Sequence, residues 1–140
     1  MYLIDTNVIS EARKKEKANP GVTRFLRDSA AQGQQLYLSA ISVGGLRRGV
    51  ELIRHRGDRQ QAALLDTWLD GVLDHYSKHI LAFDGVAAQV WGRLRVPHPE
   101  HELDKQIAAI ALVNALTVVT RNTADFAGTG VDLLNPFVAA

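Results

Sequence analysis

Acidic and amide side chains stand where buried strands are predicted to end. Asp5 directly follows the apolar residues 2–4, Asn122 comes two positions after residues 117–120, and Asp125 lies three positions farther on. Because the carboxyl ends of parallel strands meet at one edge of a sheet, we expect these side chains in one crevice. Crowded carboxylates repel one another unless a cation compensates them, and their oxygens suit Mg²⁺ or Mn²⁺. The predicted chemistry is metal-assisted hydrolysis of a phosphodiester.

Asp104 joins the same predicted site through the helix that carries it. Apolar residues follow it at helical spacing, namely Ile107, Ala108, Ala111, Leu112 and Ala115. This spacing predicts a helix over about residues 103–116 with the carboxylate on its buried face. A helix that feeds a parallel strand begins at the edge where strands end, which brings Asp104 toward the other acids. Taken alone, Asp5 could be only a helix cap and residues 120–122 only a polar turn.

Short apolar runs alternate with helical patterns along the whole chain. Strands are expected at residues 2–4, 36–38, 80–83, 117–120 and, more weakly, 131–134. Residues with capping side chains precede the intervening helices: Asn19, Ser39 or Ser42, Asp58 and Asp84. This order predicts an α/β fold, a three-layer α/β/α domain with a central, mainly parallel sheet of four to five strands.

The bulk properties indicate an ordinary globular protein. A length of 140 residues, with 46% hydrophobic and 22% charged residues, predicts a single domain over 1–140. The absence of cysteine excludes disulfides and thiolate metal sites. No apolar run is long enough for a membrane helix, so we expect a cytoplasmic protein without a membrane partner. The net charge of +1 does not by itself demand nucleic acid.

Four blocks of sequence, in this order, resemble a known family. They are residues 1–10 (MYLIDTNVIS), 42–49 (SVGGLRRG), 104–109 (DKQIAA) and 119–126 (VTRNTADF). Together they look like a PIN domain of the VapC toxin group, and the resemblance covers essentially the whole chain. It implies a divalent-metal-dependent endoribonuclease that uses Mg²⁺, with Mn²⁺ as a possible substitute. It also implies the toxin role in a type II toxin-antitoxin system.

The resemblance also assigns roles and partners. Asp5 and Asp104 would be the principal metal-binding acids, and Asn122 matches a fourth position where the family uses Asp or Asn. The residues that would shape the site or hold waters and phosphate are Thr6, Asn7, Thr120, Asn122 and Asp125. The family acts on RNA (tRNA, rRNA or mRNA) and is silenced by a VapB-type antitoxin whose tail fills the groove. Homodimers and larger toxin-antitoxin assemblies are implied as well.

Gly45 departs from the family pattern. The residue before Leu46 is normally glutamate in this block, whereas here Gly44 and Gly45 precede it. Consecutive glycines inside a helix cost roughly 1 kcal/mol each relative to alanine. A close backbone contact could explain Gly45, but loss of a metal ligand is the preferred interpretation. Glu51 lies on another helix face and Glu11 is a weaker stand-in, so impaired catalysis is expected whether the glycine is natural or introduced.

Other candidates complete the sequence-based interpretation. Arg47 and Arg48 follow position 45 and could bind RNA phosphates at the groove. Residues 98–102 contain two histidines and two glutamates, but a solvated loop near the groove is favoured there over a zinc site. The alternative to a working nuclease is a catalytically silent PIN domain that binds antitoxin or RNA. A phosphatase or nucleotide-binding domain would need a second aspartate soon after Asp5 or a glycine-rich phosphate loop, and neither is present.

Overall fold

Five short parallel strands form the central sheet of the computed structural model, which describes residues 1–139. In chain order they are β1 (Tyr2–Ile4), β2 (Leu36–Ser39), β3 (Ile80–Leu81), β4 (Thr117–Val119) and β5 (Leu133–Leu134). Their order across the sheet is β3-β2-β1-β4-β5, so β1 and β4 are adjacent at its centre. The predicted parallel sheet is confirmed.

Six helices surround the sheet: α1 (Thr6–Ala12), α2 (Pro20–Ala31), α3 (Ala40–His55), α4 (Arg59–His75), α5 (Gly85–Leu94) and α6 (Glu102–Val113). The side chains of Asn19, Ser39, Asp58 and Asp84 each accept a hydrogen bond from a backbone N–H of the helix that follows. These are the predicted caps, and they fix where α2 to α5 begin.

Two apolar cores lie on opposite faces of the sheet, as the three-layer prediction requires. Leu3 and Val118 pack toward α5 and α6, whereas the next residues, Ile4 and Val119, pack toward the layer that contains α1 to α4. All four of these side chains are fully buried. Successive strand residues point to opposite faces, so both sides of β1 and β4 are covered. No helix within residues 1–139 is long and apolar enough to cross a membrane.

Some predicted strands and one predicted helix are longer than those in the structure. The strand predicted at 80–83 is paired only at its first two residues, and the strand predicted at 131–134 only at its last two. The helix predicted to reach residue 116 ends at Val113. Ala115 adopts a left-handed conformation with φ 54°, and the Leu116 N–H donates to the carbonyl of Ala111 at 2.9 Å. This Schellman-type end turns Leu116 back into the core ahead of β4. Because Ala rarely adopts positive φ, the sequence carried no signal for this stop.

Candidate metal centre

Asp5 lies at the carboxyl end of β1 and is 5% exposed. Its Oδ1 accepts a hydrogen bond from the backbone N–H of Thr6 at 2.8 Å, so Asp5 does cap α1. Its Oδ2 accepts a second hydrogen bond at 2.8 Å, from the Oγ1 hydroxyl of Thr120. The capping interpretation is therefore confirmed for this residue, and the cap uses one oxygen while the other faces the end of β4, where the site is predicted.

A hydrogen-bond network joins the ends of β1 and β4 around this carboxylate. The side-chain amide of Asn7 donates to Thr120 Oγ1 at 3.1 Å, and its Oδ1 accepts from the backbone N–H of Arg121 at 3.0 Å. Thr120 is fully buried, and its Oγ1 also accepts from the backbone N–H of Asn122 at 3.1 Å. Residues 120–122 are thus a turn that is tied to Asp5, and this fixes the position of its carboxylate.

Asp104 and Asp125 bring two further carboxylates to this edge. Asp104 is in the first turn of α6, and Asp125 is in the short 3₁₀ turn Thr123–Phe126 that follows β4. The pKa of Asp104 is raised to about 6, first because the group is partly buried and then because the charges of Asp5 and Asp125 repel its ionised form. The structure therefore brings together the three predicted acids, and Asn122 begins the turn that carries Asp125.

His101 is a site residue that the sequence-based prediction did not single out. Its Nδ1 lies 3.9 Å from Asp104 Oδ2 and 3.9 Å from Asp125 Oδ1. The ligand atoms of these three residues all lie within 4.8 Å of one another. In the loop expected near the groove, residues 98–102, His98 is 77% exposed, whereas His101 turns toward the acids. The signal in the sequence was the spacing of three residues, one helical turn, between His101 and Asp104.

Gly45 faces the same region from α3. A Cβ at this position would lie 3.4 Å from the methyl carbon of Thr6, with no other neighbouring heavy atom within 4 Å. Thr6 is the residue next to Asp5, so a longer side chain at position 45 has room and starts beside the residue that follows the buried acid. Within residues 1–139, the close backbone contact considered for this glycine is not observed, and a Cβ at Gly44 or Gly49 would meet no atom within 4 Å beyond its neighbours and its own helix backbone.

The two glutamates considered as substitutes for a carboxylate at position 45 are engaged elsewhere. Glu11 accepts hydrogen bonds from Lys14 Nζ at 2.9 Å and from the backbone N–H of Asn19 at 2.8 Å. Glu51 forms ion pairs with Arg47 and Arg54 on the surface between α3 and α4. Both glutamates have pKa values below their ordinary range, for which the first causes are the bonds from Lys14 and Arg54, respectively.

The two arginines after position 45 differ in their surroundings. Arg47 Nη1 lies 2.7 Å from Asp66 Oδ1 of α4 and 3.5 Å from Glu51, whereas Arg48 is exposed. A cavity of about 320 Å³ opens between α1, α3 and α4 beside position 45. It is lined by Thr6, Ser10, Arg13, Gly45, Leu46, Gly49, Val50, Leu65 and Trp68. This lining, which is mainly apolar and small with one basic residue, Arg13, offers room for a peptide side chain beside Thr6.

The donor chemistry of the cluster fits a hard divalent cation. Three carboxylates that repel one another, with a raised pKa at Asp104, are the arrangement that a cation would stabilise. Oxygen ligands of this kind suit Mg²⁺ and Mn²⁺. The geometry therefore supports a metal centre formed by residues from β1, α6 and the turn after β4.

Comparisons with known proteins identify the family. The family model described as PIN domain matches residues 2–130. The chain is 34% identical to Toxin FitB of Neisseria gonorrhoeae, over 98% of this chain and 99% of that protein. It is 33% identical to VapC ribonuclease Y4jK of Sinorhizobium fredii, over the full length of both. The crystal structure of FitAcB from Neisseria gonorrhoeae matches with a TM-score of 0.83 and 34% identity, covering 97% of this chain and 98% of that one.

Proposed function

This chain belongs to the PIN domain family, on the branch that includes Toxin FitB and VapC ribonuclease Y4jK, and from this premise we propose that residues 1–140 form a single toxin domain. Its proposed activity is hydrolysis of RNA phosphodiester bonds with a divalent cation, Mg²⁺ or Mn²⁺, within a type II toxin-antitoxin system. The observation that supports it best is the convergence of Asp5, Asp104 and Asp125 at one edge of the sheet.

Asp5 and Asp104 would hold the cation, with Asp125 and Asn122 at the rim of the same site. When bound, the cation would polarise a phosphoryl oxygen and lower the pKa of an attacking water. Thr120 and Asn7 orient the Asp5 carboxylate through their hydrogen bonds, which limits its freedom before any ligand arrives. Thr6 contributes its backbone N–H to Asp5 and its methyl group to the wall that faces position 45.

The same proposal includes weakened catalysis because of Gly45. A glutamate at this position would add a carboxylate beside Thr6, and Glu11 and Glu51 are held by basic partners elsewhere. Loss of one inner carboxylate lowers the affinity for the cation and harms a two-metal arrangement most. The fold does not depend on that side chain, so binding of a partner would survive its loss.

The proposed partners follow from the surfaces beside the site. A VapB-type antitoxin tail would enter the cavity between α1, α3 and α4, where Arg13 and Trp68 form part of the lining. RNA phosphates would contact Arg48 first, because Arg47 is already paired with Asp66 and Glu51. Homodimers and larger toxin-antitoxin assemblies belong to the same proposal.

A catalytically silent PIN domain is the second candidate function. The observation that favours it is Gly45 itself, since the cavity and the basic residues persist without the missing carboxylate. Such a protein would bind antitoxin or RNA without cutting it.

RNA cleavage by matched variants tests the proposal. A mixed pool of tRNA and rRNA is incubated with Mg²⁺ or Mn²⁺ and this chain, Gly45→Glu, or Gly45→Glu combined with Asp5→Ala. We expect Gly45→Glu to cut at least about tenfold faster than the parent chain, and the added Asp5→Ala to abolish cutting. Gly44→Glu is the matched control, because a side chain at position 44 enters open space. Silence of every folded variant would support the binding module instead.

A further inference from the structure

We propose that His101 is a nitrogen ligand of the cation held at Asp104 and Asp125, and that it biases this centre toward Mn²⁺ over Mg²⁺. The inference rests on the proposed metal-dependent function and adds a residue that the family pattern of acids does not include.

The distances are those of groups that can share one ion. His101 Nδ1 lies 3.9 Å from an oxygen of Asp104 and 3.9 Å from an oxygen of Asp125. These separations are too long for direct hydrogen bonds. Ligand bonds of about 2.1 Å place opposite ligands of one ion about 4.2 Å apart, and adjacent ligands closer together. Atoms separated by 3.9 Å can therefore bind one cation with small side-chain movements.

Hydrogen bonds hold the backbone of the loop before α6, which carries the imidazole of His101. The buried Lys105 donates through Nζ to the carbonyl of His98, and its backbone N–H donates to the carbonyl of His101 at 2.9 Å. Trp91 Nε1 donates to the carbonyl of Glu102 at 3.1 Å. His101 itself has a φ of 59° and makes no side-chain hydrogen bond to cap α6, so its ring is available to the acids. Bonds on both sides of the residue limit its movement.

A nitrogen donor changes which cation the centre prefers. Mg²⁺ is bound almost entirely by oxygen ligands, whereas imidazole is a common ligand of transition metals. At Gly45 the chain lacks a carboxylate, which reduces the negative charge that favours a hard cation. A neutral imidazole would restore the number of ligands without restoring the charge. The nitrogen ligand and the lower negative charge both favour binding of Mn²⁺ over Mg²⁺.

Binding of Mn²⁺ alone tests the inference without any measurement of activity. Pulsed electron paramagnetic resonance of the Mn²⁺-loaded chain should show hyperfine coupling to one imidazole nitrogen, and His101→Asn should abolish it. Asparagine suits this substitution because it tolerates the left-handed backbone. His98→Asn, in the same loop but 77% exposed, should retain the signal. Calorimetry should show Mn²⁺ affinity reduced about tenfold in His101→Asn, with Mg²⁺ affinity nearly unchanged.

Asp104→Asn separates failure of the inference from failure of the proposed function. Loss of Mn²⁺ binding in Asp104→Asn, together with nitrogen coupling in the parent chain, would support both. Binding that depends on Asp104 but shows no nitrogen coupling would overturn the role of His101 and leave the metal centre standing. Binding that is independent of Asp104 would overturn both. Thermal unfolding of each variant checks that it folds.

Discussion

Restoring a carboxylate at position 45 should make the stability of the protein more dependent on metal. The glycine sits inside α3 with ordinary helical geometry, and a Cβ there meets only the methyl group of Thr6, at 3.4 Å. Replacing a helix-interior glycine by glutamate contributes about 0.5 kcal/mol through helix propensity. Without metal, repulsion between the new carboxylate and Asp5 opposes this gain, so Gly45→Glu should unfold within about 2 °C of the parent chain.

Bound metal should make Gly45→Glu more stable than the parent chain, because the cation attracts the carboxylates that otherwise repel each other. If the added carboxylate tightens binding of Mg²⁺ tenfold, saturating metal stabilises Gly45→Glu by about 1.4 kcal/mol more than it stabilises the parent chain. For a chain of this length that difference corresponds to about 4–6 °C in Tm. Gly44→Glu has the same propensity gain but projects into open space, so its Tm should rise without any added metal dependence.

Thermal unfolding followed by circular dichroism, with EDTA or with saturating Mg²⁺, measures both effects. The quantity compared is the metal-induced change in Tm for the parent chain, Gly45→Glu and Gly44→Glu. An equal metal-induced change in all three proteins would refute the reasoning, because position 45 would then not face the cation. A larger metal-induced change in the Tm of Gly44→Glu than in that of Gly45→Glu would mean that the cation lies on the side of α3 that position 44 faces.

Three further outcomes are expected. The pKa of Asp104 is raised in the folded state, to about 6, so its contribution to metal-free stability is fully present below the ordinary pKa of aspartate and is lost as the pH rises through 6. Asp104→Asn should therefore raise the Tm in EDTA at about pH 8 but much less at about pH 4. Thr120→Val removes a buried hydroxyl that bonds to Asp5 and should lower the free energy of unfolding by about 2 kcal/mol in urea titrations, whereas Thr117→Val on the same strand should cost under about 1 kcal/mol. Arg48→Ala should weaken RNA binding and reduce by about 1 the slope of the logarithm of affinity against the logarithm of salt concentration, and an unchanged slope would remove Arg48 from the interface.

The regular parts of the fold were predictable because local signals and global topology agree. Apolar runs of three or four residues marked β1, β2 and β4, and capping side chains marked where four helices begin. Once the sheet is parallel, the ends of its strands share an edge, and Asp5 and residues 120–122 must be neighbours. The position of Asp104 followed from the apolar spacing of α6.

The remaining features depend on contacts that no local pattern reveals. His101 lies near the acids in a loop that Lys105 and Trp91 hold by hydrogen bonds, and the bond from Trp91 depends on the packing of α5 against α6. Arg47 was expected at the groove, but its proximity to Asp66 arises from the packing of α3 against α4, across 19 positions of sequence. Tertiary contacts of this kind decide the direction of a side chain after the backbone pattern has been set.

The carboxylate of Asp5 is held in place by neutral groups, so its position does not depend on an acid at position 45. Asp5 is positioned by Thr120, by Asn7 and by the backbone of Thr6, and none of these bonds involves position 45. Deleting a carboxylate from α3 therefore leaves the strand ends joined and removes one source of repulsion. The same change weakens the attraction for a cation. A chain with Gly45 can thus keep its fold and the cavity between α1, α3 and α4, while the proposed chemistry would depend on how strongly the remaining donors bind a metal ion.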